Sequence, residues 1–410
     1  MSRSFGYPPS FIWRQAPRQS PALVIFLGVL LSLFASPATA MAESEQNVSG
    51  SDKPYTLERS VEQGLRANPR IKAARSEVRK AESSTKEKRS AFLPSLTAQA
   101  SSKDIHSFST TGAGATDEDY VDQRMDTLSL RLTQTLFQGF TGLNSYQKAK
   151  LRTELMRARK NREKMSLIRD IQTAFLELLK AQEDVASLQD SIRRLEVSVK
   201  QANSFYQQEV VPYARVLQAE VDLANAHQKL SRAENKVNTQ REQLRSLLNL
   251  PQGVEPSYKG NLEGFTYEFH RDLQDCLDAA YEDKPGLEAA RRSLDVAREE
   301  LDIRKGSFAP KIEVSGSLIH RNTDYDEPGE RFGREYDRDQ KNNYASVQIQ
   351  ATWPLFQGGS RYYQHQGAKR EIRRLEHRLR ATRNQVRAQV RSNYFSLREA
   401  RSRMSSARAT

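Results

Sequence analysis

The chain of 410 residues has a single cysteine, Cys276. That excludes an intramolecular disulfide framework and any zinc site built on several thiolates. Apolar residues are sparse as well, 37% against 28% charged. Such a chain cannot build a polytopic helical membrane protein or one large globular core, and it suits long solvated helices or a partly disordered polypeptide. The longest apolar run, Ala22 to Phe34, is shorter than the roughly 20 residues of a comfortable membrane span. Catalytic signals are missing too. The six histidines (His106, His227, His270, His320, His365, His377) form no HExxH or other ligand spacing. No nucleophile motif is present, and Gly112-Ala113-Gly114 reads as a loop rather than a phosphate cradle. Cys276 sits in a helical pattern, Leu273-Gln274-Asp275-Cys276-Leu277, and reads as a structural thiol. The expectation is a non-enzyme with no catalytic residue, no cofactor and no metal.

The amino-terminal segment reads as an export signal. Arg3, Arg14 and Arg18 are the only charges among residues 1–40; the apolar run follows, and then Ala38-Thr39-Ala40, a small-x-small cleavage site. Ala40-Met41-Ala42 is a second such site, and no cysteine follows that could be lipidated. The formal charge of +13 is unevenly spread: residues 361–410 hold +11, residues 1–40 hold +3, and residues 41–360 sum to −1. The basic character is therefore a carboxy-terminal property. Because those basic residues alternate with Ile372, Leu375, Leu379, Val386, Val390 and Phe395 at helical spacing, they belong to an amphipathic helix, and no nucleic-acid partner is expected.

An internal repeat organises the remainder. Asn68-Pro69-Arg70-Ile71-Lys72-Ala73-Ala74-Arg75 recurs as Lys284-Pro285-Gly286-Leu287-Glu288-Ala289-Ala290-Arg291 at an offset of 216. Phe92-Leu93-Pro94 recurs as Phe308-Ala309-Pro310 at the same offset, and Leu136-Phe137-Gln138-Gly139 as Leu355-Phe356-Gln357-Gly358 at 219. Three matches in constant order mark a duplication. Each copy predicts a helix (57–91 and 272–307), a stop at Pro94 or Pro310, a strand, a polar loop, a second strand and a long helix. The organisation expected is a signal over 1–40, a linker over 41–54, a first repeat over 55–250, a connector over 251–270 and a second repeat over 271–410.

The strands, near 95–105, 124–137, 311–320 and 343–356, alternate with period two. Leu128, Leu130 and Leu132 alternate with Ser129, Arg131 and Thr133; Val347, Ile349 and Trp353 alternate with Gln348, Gln350 and Thr352. Such strands have one apolar and one polar face, which fits both a soluble sheet on a core and a transmembrane barrel. Residues 143–209 contain no proline and would reach roughly 100 Å as a helix. Ile168, Ile171, Phe175, Leu178, Val185, Leu188, Ile192, Leu195, Val199 and Ala202 form a seam along it. Val211-Pro212 breaks it, and a returning helix carries Val216, Leu223, Leu230, Val237 and Leu244 every seven residues until Asn249-Leu250-Pro251-Gln252-Gly253.

These motifs, with Leu132-Thr133-Gln134-Thr135 before the first Leu-Phe-Gln-Gly, Trp353-Pro354 before the second, and Arg215-Val216-Leu217-Gln218-Ala219-Glu220 past the helical tip, are shared over about residues 55–410 with a known family. The chain resembles the TolC-like outer-membrane efflux and type I secretion proteins. The resemblance implies a homotrimer in which each protomer gives four strands to an outer-membrane β-barrel and long helices to a periplasmic coiled-coil barrel. It implies a passive exit duct at the Gram-negative outer membrane, working with a periplasmic adaptor (membrane fusion) protein and an inner-membrane pump. Leu128, Leu130, Leu132, Val347, Ile349 and Trp353 would then face outer-membrane lipid. Pro94, Pro310, Gly139, Gly358 and Gly359 would form the helix–strand junctions, and Arg391, in Val390-Arg391-Ser392, would lie near the periplasmic gate or on a solvated helix face. One departure is visible: the second repeat aligns Tyr394 with Phe175 and runs to Thr410, the counterpart of Ser191, so the tip and returning helix have no second copy. The expectation drawn from it is a truncated second repeat and, with that, a fragment or a defective duct. A periplasmic coiled-coil adaptor or scaffold without a barrel is the competing reading.

Overall fold

The computed structural model describes residues 54–110, 118–253, 256–262, 269–325, 329–331, 334–336 and 339–409. The export signal and most of the linker expected before residue 54, and the Gly112-Ala113-Gly114 loop, lie outside the described residues. The element order is α1 (Leu57–Ala67), α2 (Pro69–Ser90), β1 (Ser95–Thr110), β2 (Glu118–Phe137), α3 (Thr141–Gln207), α4 (Tyr213–Leu248), α5 (Leu273–Asp283), α6 (Pro285–Gly306), β3 (Lys311–Tyr325), β4 (Gly329–Arg331), β5 (Arg334–Tyr336), β6 (Gln340–Thr352) and α7 (Ser360–Ala409).

The single helix expected over 57–91 is two helices, and so is its counterpart over 272–307. A proline restricts the residue before it to extended backbone and is itself preorganised for a first helical turn. Asn68 and Lys284 accordingly sit at ψ 128° and 114°, each ending one helix while Pro69 or Pro285 begins the next. Thr56 caps α1 through its hydroxyl, which accepts from the Arg59 amide at 3.3 Å. Asp272 caps α5 by accepting from the Asp275 amide at 2.7 Å. Asn68 accepts from the Arg70 amide at 2.9 Å and donates to the Leu247 carbonyl at 2.8 Å, so one side chain caps α2 and ties it to the end of α4.

The main sheet is antiparallel, in the order β1-β2-β3-β6. Its strands extend beyond the alternating segments: β1 reaches Thr110, β2 starts at Glu118, and β3 reaches Tyr325. Ladder hydrogen bonds need no apolar face, and pairs such as Asp104↔Arg124 and Arg124↔Asp324 continue the register where the pattern is polar. The last strand ends at Thr352 rather than 356, since Pro354 has no amide to give the ladder. The polar loop read over 321–342 contains the short β4–β5 hairpin, paired from Gly329↔Tyr336 to Arg331↔Arg334.

The core lies part-way along α3. Leu167, Ile171, Phe175 and Leu178 of α3 and Leu244 and Leu248 of α4 are fully buried, with Ile71, Leu179, Leu250 and Tyr258 around them. The seam drawn from sequence spacing is therefore too narrow: Leu167, Ala174, Leu179 and Ala181 are buried too, because α1, α2, α4 and the chain near Tyr258 pack on different sides of α3 at this height. That chain is held by a parallel bridge, with the Tyr55 amide donating to Ser257 O at 2.8 Å and the Lys259 amide to Tyr55 O at 3.1 Å. Tyr258 packs edge-on against Phe175, and burial pushes its phenol up to about 12. Neither tyrosine stands out in the sequence, because a bridge between two connectors has no periodicity.

Candidate functional site

The sheet has two chemically distinct faces, and its register assembles them. Residues opposite one another on antiparallel strands project from the same side. One row is Leu96, Leu132, Gly316 and Val347; the next is Ala98, Leu130, Leu318 and Ala345; Val314 and Ile349 lie one step below. Five of the six residues expected to contact lipid share this face, Leu128, Leu130 and Leu132 on β2 and Val347 and Ile349 on β6, while Trp353 follows just beyond the end of β6. Val347 is 82% exposed, Ile349 72%, Leu96 66% and Leu318 62%. From Ile312 to Leu318 the apolar zone extends roughly 20 Å along β3 at about 3.4 Å per residue, and His320, hydrogen-bonded to Asn343 at 2.8 Å, marks its upper limit. Above it, at the loop end, the same face turns charged, with Asp104, Arg124, Asp126, Asp324 and Lys341. The opposite face is polar. Ser317 and Ser346 hydrogen-bond across β3 and β6 at 2.8 Å, and Thr135 donates to Glu313 at 3.1 Å.

Below the apolar zone the strands pass into helices through a belt of exposed aromatic and aliphatic groups. Phe92, Leu93, Phe308, Trp353, Leu355, Phe356, Tyr362 and Tyr363 are all exposed there. Aromatic residues at the edge of an apolar band are the girdle of a membrane-embedded strand region. The Trp353 indole donates to Phe308 O at 3.0 Å, and Arg361 donates to Ser307 O at 3.1 Å and to Pro354 O, so the two junctions of the second half are tied together.

Pro94 and Pro310 immediately precede β1 and β3. Gly139, Gly358 and Gly359 have φ of +63°, +58° and +80°, values that side chains with a Cβ avoid. Gly139 is doubly constrained: a Cβ there would stand 2.1 Å from Gly306 O, and one on Gly306 would stand 2.2 Å from Gly139 O. The turn from β2 into α3 thus crosses the end of α6 backbone to backbone. Gly306 escaped the sequence reading because its requirement comes from a partner remote in sequence. Arg391 lies exposed on α7.

Neighbouring helices follow the neighbouring strands. α2 leads into β1, β2 into α3, α6 into β3 and β6 into α7, and α3 packs between α2 and α6 while α6 packs between α3 and α7. Ion pairs join two of these interfaces: Arg157–Glu82 at 2.8 Å and Arg70–Glu163 at 3.0 Å between α2 and α3, and Lys148–Glu300 at 2.7 Å and Arg292–Glu154 at 3.0 Å between α3 and α6. Burial alone would raise the Glu300 carboxyl, but hydrogen bonds from Lys148 and Arg304 hold it below its ordinary value. Between α6 and α7, Arg304 donates to Gln364 at 2.8 Å. Sheet and helix layer therefore end together, at β1 and α2 on one side and at β6 and α7 on the other.

No described helix is long and apolar enough to cross a membrane, and no group of three or more His, Cys, Asp or Glu among the described residues could hold a metal ion.

Residues 61–250 and 276–410 match the outer membrane efflux protein family. The chain belongs to that family. No curated protein matches the chain. Among solved structures the fold is similar to the outer membrane protein VceC of Vibrio cholerae, with TM-score 0.69 and 16% identity over 85% of this chain and 80% of that one. It is similar to the CmeC outer membrane channel of Campylobacter jejuni, with TM-score 0.65 and 16% identity over 80% of this chain and 67% of that one. The open-state MtrE channel of Neisseria gonorrhoeae gives TM-score 0.60 and 18% identity over 82% and 70%. The TolC-like resemblance read from the duplicated motifs and the expected fold, a β-domain continued by a long helical domain, agree with these matches. This outer membrane efflux protein is thus an efflux or secretion channel of the Gram-negative outer membrane, extending into the periplasm, in a family of channels rather than enzymes.

Proposed function

We propose that this chain is the protomer of a trimeric exit duct, a passive conduit for cargo across periplasm and outer membrane in a tripartite efflux pump or type I secretion system. The observation that carries the reading is the coincidence of free edges. An open sheet edge is not tolerated in lipid, and four strands cannot close on themselves. β1 and β6 run in opposite directions, so β6 of one copy can continue the antiparallel alternation against β1 of the next. The same head-to-tail step sets α7 beside the next copy's α2, and a cyclic ring satisfies both layers at once. In that ring Leu128, Leu130, Leu132, Val347, Ile349 and Trp353 meet lipid, the serine- and glutamine-rich face lines water, and the glycine and proline junctions turn the wall into the helical tube. The periplasmic partners are an adaptor protein and an inner-membrane pump, and the pump selects the cargo.

Native mass spectrometry of protein extracted by detergent from outer membranes tests this. Three copies that convert to monomer on heating, and that co-purify with an adaptor after crosslinking in cells, are expected. A monomer released by osmotic shock would overturn the duct and favour the periplasmic scaffold.

A further inference from the structure

The polar face of the sheet carries more cations than carboxylates. By register the strands place four cations on it, Lys103, Arg131, Lys311 and Arg321, and two carboxylate residues, Glu313 and, at the far loop end of β2, Asp119. Glu313 is 2.7 Å from Lys311, and this pair sits at the helix end of the sheet. Among the described side chains the other three cations have no carboxylate partner. Arg131 is exposed in the row of Thr97, Ser317 and Ser346. Two rows nearer the loops, Arg321 lies with its guanidinium 5.8 Å from the centre of the Tyr344 ring and its Nε without a hydrogen-bond partner. Lys103 is one row further and exposed. On the opposite face the charges include the pair Arg124–Asp126 at 3.8 Å and lie beyond the apolar zone.

We infer that the water-filled section bounded by this sheet is anion-selective, its wall cations Arg131, Arg321 and Lys103 favouring anionic over cationic solutes. The inference rests on the duct reading, which directs the polar face inward and repeats each cation around the ring. A low-dielectric wall concentrates the field of its charges in the lumen. In water a unit charge about 10 Å away changes the local concentration of a monovalent ion about twofold, in opposite senses for anion and cation, so each cation shifts their ratio about fourfold before screening.

Thiol labelling from the outer mouth of whole cells tests this whether or not the periplasmic end is open. Ser317→Cys, in a Cys276→Ser background, places the probe in the Arg131 row. A sulfonate-bearing and a trimethylammonium-bearing thiosulfonate are compared at low salt, each rate divided by that on a small free thiol. The normalised rate for the anionic reagent is expected to be the higher. Arg131→Gln, which removes one cation from every copy in the ring, should lower the ratio at least about fourfold, and Arg131→Gln with Arg321→Gln further, while Lys341→Gln, on the other face, leaves it unchanged. A ratio at or below one, or one that Arg131→Gln does not move, would overturn the inference with the duct intact. Labelling of Leu318→Cys, on the apolar face, by both charged reagents as fast as Ser317→Cys would instead overturn the barrel itself, and with it the inference. If native mass spectrometry shows the Arg131→Gln protein no longer trimeric, Arg131→Lys, which keeps the charge, must restore the ratio.

Discussion

The two halves of the molecule share an element order and differ in what they pack against. At an offset of 216 the buried stripe is kept: Ile71 and Leu287, Val78 and Leu294, Ala81 and Ala297 are all buried. Other positions are not kept. Ser60 is buried, and its counterpart Cys276 is half-buried. Gly64 faces Ile171 so closely that a Cβ would stand 2.3 Å from its Cδ1, whereas its counterpart is Ala280. Asn68 caps a helix and reaches Leu247, whereas Lys284 provides no side-chain cap and donates to Gln389 on α7 at 2.7 Å. The stripe meets the neighbouring long helix, which both halves have. The residues that changed meet α4 and the core around Phe175, which among the described residues only the first half has. On α7, Val386 is the one buried hydrophobic residue described. A duplicated sequence thus retains what its shared partner requires and drifts where that partner differs.

Substitutions at matched positions can break or sharpen this contrast. Phe175→Ala empties a fully buried site and should cost about 3–5 kcal/mol, whereas Tyr394→Ala, at the aligned half-exposed position, should cost about 1 kcal/mol. Thermal unfolding followed by helical circular dichroism in detergent measures both, and equal losses would erase the asymmetry. Gly64→Ala forces Ile171 aside and should destabilise by about 1–3 kcal/mol. The reverse change, Ala280→Gly, should cost only the helix-propensity difference of about 1 kcal/mol. Asn68→Ala removes a cap and a tie to α4, for about 1–2 kcal/mol, against about 0.5 kcal/mol or less for Lys284→Ala; denaturant midpoints separate the two.

The smallest effects are in pH dependence. Burial alone would raise Asp170, but hydrogen bonds from Arg169 and Arg70 hold it below its ordinary 3.8. Its stabilising contribution is present above 3.8 and is lost as pH falls through the lower folded value. Burial holds the Lys284 amine below 10.5. The folded state therefore binds fewer protons there than the unfolded state, and stability rises as pH climbs through the folded value toward 10.5. Arg70→Ala should blunt the acid limb and Lys284→Met the alkaline one, both read from unfolding midpoints across pH. An Asp170 limb that survives loss of Arg70 would assign it to Arg169 alone.

Much of this fold is written in local patterns. Alternation over 124–137 and 343–352, proline at 69, 94, 285 and 310, and the long proline-free segment over 143–209 each act within a few residues, so strands, breaks and helices follow from the chain alone. The Asn68 and Lys284 breaks were legible in principle, since a residue before proline resists the helix. Burial of Leu167, Ala174 and Leu179 was not, because three sides of α3 are covered by segments distant in sequence. The Gly139–Gly306 crossing and the Tyr55–Tyr258 bridge escaped for the same reason.

The sequence by itself determined that there are two copies of a helix–strand–strand–helix unit and that every strand has one apolar and one polar side, because a strand's side chains alternate whatever it pairs with. It could not say which strands are neighbours. Only the tertiary structure decided the order β1-β2-β3-β6, put Leu96, Leu132 and Val347 in one exposed row, and gathered Arg131, Arg321 and Lys103 on the other face. Register is set between strands and across the two halves of the chain, where no local rule of residue preference reaches.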